Sequence, residues 1–177
     1  MAPTKEPAGK PAGTPKNPLG ATGATVAKNV ERLRRKHGLQ YVELAARLQE
    51  IGRPIPTLGL RHIEAEKRRV DADDLIALAI ALDANPNSLL LPPTNSAQHI
   101  VALTGAPNEI APAVWEWANG KRPLPSRPPA IPSTVPKENR GTYARAYFEN
   151  NTNPAVQNWT DQPNIAVDIR ADDDGDD

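Results

Sequence analysis

Cysteine is absent from the 177 residues, so no disulfide can brace the fold and no thiolate can hold a metal. Whatever packs must pack on apolar side chains alone. Aromatic residues make up only 4% of the chain, which limits the core further. No apolar window approaches the ~20 residues of a membrane-spanning helix, and the N-terminal MAPTKEPAGKPAGTPKNPLGATG lacks the apolar stretch of a secretory signal. The expectation is a soluble protein of the cytoplasm. Net charge is missing too, since 21 Lys and Arg balance 21 Asp and Glu. What the chain has in plenty is proline, 20 residues, alongside 11 glycines, which predicts a small core with long unpacked tails.

The zero net charge hides an asymmetry. Residues 1–69 carry 14 Lys and Arg against 6 Asp and Glu, whereas residues 70–177 carry 7 against 15. Blocks of opposite sign in one chain point to a basic binding face and an acidic tail that solubilises or competes. Nucleic acid therefore stays open as a partner despite the balance.

Apolar spacing supplies the helices. Thr25 is placed to cap a first one, on which Val26, Val30 and Leu33 recur at i, i+4 and i+7, and Gly38 ends it. Leu44 with Leu48, and Leu60 with Ile63, then give two narrow stripes suited to short packed helices, with Ala45 small enough for their close approach. Between them Gly52-Arg53-Pro54-Ile55-Pro56 cannot continue a helix, because proline lacks the amide donor and restricts its predecessor. A helix, a turn, a second helix over Thr57 to Ala65 and the basic exit Lys67-Arg68-Arg69 describe a helix-turn-helix reader of DNA. Asp71 and Asp74 form an N-cap and N3 pair ahead of Leu75, Leu78, Ala79 and Leu82, and Asn85-Pro86 repeats the start signal for a fifth short helix with Leu89 and Leu90. Pro92-Pro93 ends the domain.

On these residues the segment Asn29 to Leu91 resembles the lambda-repressor-like helix-turn-helix domains of the XRE and Cro type. NVERLRRKHGL (29–39), ELAARL (43–48), LRHIEAEKRR (60–69) and LIALAIALDANPNSLL (75–90) carry the resemblance, in the family's order. One departure is the turn. Such motifs join their helices by three or four residues, whereas eight, Gln49 to Pro56, separate Leu48 from the next helical stretch. The G-R-P-I-P insert is similar to that of actinobacterial and phage regulators.

The resemblance implies an all-α, five-helix DNA-binding domain that acts as a transcriptional regulator on double-stranded DNA, commonly as a symmetric homodimer. It puts Gln40 at the N-cap of the second helix as a phosphate contact. Tyr41 then either donates to a phosphate or packs. Leu60 and Ile63 face the core, which leaves Thr57, Leu58, Gly59, Arg61 and His62 on or near the groove. Arg61 is the leading candidate for base readout, since arginine pairs with guanine edges, and Leu58 suits a thymine methyl. Thr57 suits a base or a phosphate, and His62 reads more readily as a polar surface residue. Gly59 implies close contact with DNA or with the preceding helix. Lys67, Arg68 and Arg69 stand where the chain would cross the phosphates.

Outside this segment the signals are weaker. Residues 1–23 read as a disordered leader or basic arm, 24–93 as the helix-turn-helix domain, 94–124 as a small extension and 125–177 as a proline-rich linker with an acidic disordered tail. Gln98 to Thr104 has strand-like character, and Ala111 to Asn119 reads as a short helix ended by Gly120. Its Trp115 and Trp117 lie on different faces, so at least one covers the chain's own domain or a second subunit. Tyr143, Tyr147, Phe148 and Trp159 mark either a segment that binds a protein partner or plain disorder. His37, His62 and His99 share no metal-ligand spacing, no nucleophile elbow or phosphate loop is present, and Asp71, Asp73 and Asp74 lack the glycine and glutamate of a calcium loop. The expectation is no enzyme, no metal and no cofactor. Two other classes share the fold: an antitoxin-like protein-interaction module and a non-specific DNA tether.

Overall fold

Apolar stripes three and four residues apart need partners, and in this chain they find one another. The computed structural model describes residues 18–152; the expected arm up to Asn17, Trp159 and the acidic ADDDGDD tail lie outside the described residues. The fold is mostly helical. Helices α1 (Ala21–Lys36), α2 (Tyr41–Glu50), α3 (Thr57–Glu64), α4 (Ala72–Ala81) and α5 (Pro86–Leu90) share one core. Val30, Leu44, Leu48, Leu60, Ile63, Leu78, Leu82 and Leu89 are wholly buried in it. Each large side chain so buried contributes roughly 1.5–3 kcal/mol relative to exposure. Gly38 at φ 65° and Gly52 at φ 78° close α1 and α2 in the left-handed conformation that lacks a Cβ penalty.

Several expectations need correction. The first helix starts at Ala21, not near Thr25, whose hydroxyl instead donates to the Ala21 carbonyl from inside the helix. Residues 21–23 are thus helix rather than disordered arm. The helix reaches back because Thr22 and Thr104 exchange bonds: each backbone N–H donates to the other's hydroxyl, at 3.2 and 3.0 Å. Helix α3, expected at about Thr57 to Ala65, ends at Glu64 with Ala65 as its C-cap, and the turn that follows holds Glu66 at φ 59°. Asp71 caps α4 by accepting the Asp74 N–H, as expected. The Asp74 carboxylate is not the other half of a capping box, however. It is turned toward two arginines described below.

The domain is not all-α. Strands β1 (Ile100–Val101) and β2 (Glu109–Ile110) form an antiparallel pair with Ile100 opposite Ile110. Helix α6 (Ala111–Ala118) follows directly, and Val101, Ala111, Val114 and Leu124 make a second cluster with Leu91. Leu91 thereby carries packing across the boundary expected at residue 93, and the first compact unit runs to Pro128. Buried Asn29 on α1 fastens this junction, its amide donating to the carbonyls of Leu89 and Leu91 at 2.9 and 2.8 Å. Trp115 packs against the second cluster and Trp117 stays 39% exposed, so one of the pair covers its own domain.

A second unit begins at Pro129. Within it a single 3-10 turn, Lys137–Asn139, leads into α7 (Arg140–Thr152), a stretch expected to be disordered. Tyr143 and Tyr147, one helical turn apart, stack with ring centroids 6.2 Å apart, the kind of i, i+4 pair that favours a helix lacking an apolar stripe. Among the described residues no helix is long and apolar enough to cross a membrane.

Candidate nucleic-acid interface

Helix α3 has two faces with opposite surroundings. Leu60 and Ile63 are sealed in the core, while Leu58, Arg61 and His62 are exposed and Thr57 is half-buried beside them. Positions 57, 58, 61 and 62 fall on one stripe of a 3.6-residue helix. Leu58 is 62% exposed, so its apolar side chain faces outward beside Arg61 and His62. Val42, in the first turn of α2, is also exposed.

The lengthened turn is not slack. The Arg53 N–H donates to the Leu48 carbonyl at 3.0 Å, which closes α2, and Ile55 is buried between the two motif helices and the rest of the core. The Arg53 guanidinium then reaches the start of α4, donating to Asp74 Oδ1 at 2.9 Å and to Asp71 Oδ2 at 3.2 Å. Its hydrogen bond to Asp74 raises the Arg53 pKa above the ordinary arginine value. Arg68, beyond α3, donates to the other Asp74 oxygen at 2.6 Å. One carboxylate, 3% exposed, thus ties together the turn before the helix and the turn after it.

A second anchor fixes α3 from behind. Glu64 receives a bidentate pair from Arg34 of α1, Nε to Oε1 at 2.7 Å and Nη2 to Oε2 at 2.8 Å, with side chains 8% and 5% exposed. The Tyr41 hydroxyl of α2 donates to the same Oε2 at 2.8 Å. Three helices meet on one buried carboxylate. The Glu64 hydrogen bond holds the Arg34 pKa above its ordinary value against the opposing effect of burial, and burial followed by the Glu64 bond pushes the Tyr41 phenol up.

This geometry reassigns several sequence expectations. Tyr41 commits its single proton to Glu64, and its half-buried ring serves as a platform: the Arg34 Cζ lies 4.1 Å from the ring centroid and the Arg61 Cζ 5.1 Å. Within the chain, Tyr41 thus packs beneath both arginines with its hydroxyl on Glu64. Such cation–π contact at an exposed site is worth about 0.5–1 kcal/mol, enough to bias the Arg61 rotamer. Gly59 is closely approached from within the chain: a Cβ there would meet Arg68 Nη1 at 2.7 Å and Ile55 Cγ2 at 3.1 Å, so both side chains would have to shift. Gln40 sits at the N-cap of α2 in a capping box with Glu43, its backbone N–H donating to Glu43 Oε2 at 2.5 Å, and the residue is exposed.

The basic exit divides in the same way. Arg68 is held by Asp74, and the Arg69 guanidinium donates to the Pro18 carbonyl at 3.1 Å. Lys67 is exposed and enters none of the ion pairs among the described residues. The residues brought together on the outer side are therefore Thr57, Leu58, Arg61 and His62, with Lys67 and Gln40 also solvent-facing. Sequence reasoning missed Arg34, Glu64 and Asp74, which orient the face without being on it.

No protein-family model and no curated protein matches the chain. A solved structure of a hypothetical transcription factor, NHTF from Neisseria, is similar to it at 24% identity, covering 41% of this chain and 77% of its own, with a TM-score of 0.36. Function has to be read from the residues themselves.

Proposed function

We propose that this chain is a sequence-specific, double-stranded-DNA-binding transcriptional regulator of the lambda-repressor-like XRE and Cro type, reading the major groove with α3. The observation that supports this most is the two-sidedness of α3, whose inner face is fully buried and braced by Arg34 and Glu64 while Leu58, Arg61 and His62 stay exposed. A short helix held rigidly from behind and chemically varied in front is what groove readout requires.

In this reading Arg61 presents its fork to guanine O6 and N7, with the Tyr41 ring biasing its direction. Leu58 contacts a thymine methyl, while Thr57 and His62 contribute polar contacts. Lys67 and the Gln40 side chain bind phosphates, which set register and affinity without reading sequence. Two copies on a pseudo-palindrome would place half-site centres about one helical turn apart. The chain would then work in the cytoplasm on the nucleoid.

Binding of Arg61→Ala to a selected site and to random duplex tests the assignment. The account expects a loss of about 1–3 kcal/mol on the selected site with one base position relaxed. Equal losses on both duplexes would remove Arg61 from readout, and wild-type affinity indifferent to sequence would favour a tether instead.

A further inference from the structure

Away from α3, the junction between α1, the end of α5 and the β1–β2 extension forms a cleft, open on one side, of about 530 Å³. That volume falls within the ~300–1,000 Å³ typical of small-molecule pockets. Its walls are mostly apolar, with Leu103, Leu124 and Trp117 prominent among them, and its polar groups are Thr22, Thr104 and Arg127.

The polar groups share one property. Thr22 and Thr104 each already accept the other's backbone N–H, and each keeps its own hydroxyl proton to give. Arg127 and the Trp117 indole are donors only. The Arg127 guanidinium takes part in no ion pair among the described residues. An apolar cleft rimmed by donors and a single cation complements one kind of molecule. We infer that this cleft binds a small amphipathic monoanion, an apolar carboxylate whose tail lies among Leu103, Leu124 and Trp117 and whose head meets Arg127 and the two threonine hydroxyls. A neutral alcohol of the same length lacks the charge that Arg127 requires, and a dianion would bring one charge more than the rim can match.

The test is calorimetric titration of the full chain with sodium octanoate, with 1-octanol as the neutral control and Trp fluorescence as a second readout. Saturable binding is expected, with one octanoate per chain and a fluorescence change that Trp117→Phe removes. Arg127→Gln, at an exposed position, melts as the wild type does and binds at least tenfold more weakly. Leu103→Trp, which fills the cleft, abolishes binding; should that variant fail to fold, Arg127→Gln decides alone. Absence of saturable binding at millimolar octanoate, equal affinity in Arg127→Gln, or equal binding of 1-octanol would each overturn the assignment.

Discussion

Removing the Glu64 carboxylate should be far more damaging than its place on a short helix suggests. In Glu64→Ala, Arg34 keeps its Nη1 bond to the Leu39 carbonyl at 2.9 Å but loses both charge-assisted bonds, and Tyr41 loses its acceptor. With the guanidinium only 8% exposed, water cannot readily replace them. Stranding one member of a buried pair costs about 3–5 kcal/mol, a large part of the ~5–15 kcal/mol that holds a domain of this size. Urea unfolding followed by circular dichroism at 222 nm reads the loss directly. With a slope of about 1–3 kcal/mol per molar urea, the midpoint should fall by at least ~1 M. The double variant Arg34→Met/Glu64→Leu should be less destabilised than Glu64→Ala alone, since no charge is left without a partner. A Glu64→Ala loss below ~1 kcal/mol, the range of an exposed pair, would refute the claim that this carboxylate fixes α3.

Three further outcomes follow from the same geometry. Asp74→Asn should lower the urea midpoint more than Arg53→Ala, because it removes the 3% exposed charge shared by two arginines and turns an NH2 toward one of them; the reverse order would contradict the staple. The Tyr41 phenol, raised above 10.0, favours the folded state while protonated, so its contribution is complete below that pH and disappears as pH climbs through the raised value. A 295 nm difference titration against Tyr41→Phe should therefore show an ionisation above pH 10, and a midpoint at or below it would rule out the Glu64 contact. Lys67→Ala should weaken binding to all duplexes alike and reduce the salt slope by about one, whereas a sequence-dependent loss would move Lys67 from phosphate to base.

Much of the helical part was legible because burial there follows a period. Val26, Val30 and Leu33, or Leu60 and Ile63, declare their face by spacing alone, and Asn85-Pro86 declares a helix start by chemistry. The supports of the site were not legible for the converse reason. Glu64 follows Ile63 and reads as an ordinary surface acid; its partner Arg34 lies 30 residues away, in a basic run whose members look interchangeable. Arg68 reads as a phosphate contact from its place in the basic run, and no local pattern signals its bond to Asp74. The same limit applies to Gly59, whose near neighbours Arg68 and Ile55 lie outside any local sequence pattern. Helix α7 escaped because its sequence has no apolar stripe, and only the Tyr143 and Tyr147 spacing hinted at it.

Selection of bound sequences from a random duplex library, run in parallel on the wild-type chain and Arg61→Ala, bears most directly on the idea that α3 is a braced reader. The wild type should enrich a two-fold-related motif containing guanine, and the variant should enrich the same motif with one position per half-site blurred. A pool that stays random with the wild type, or an identical motif from both proteins, would contradict it.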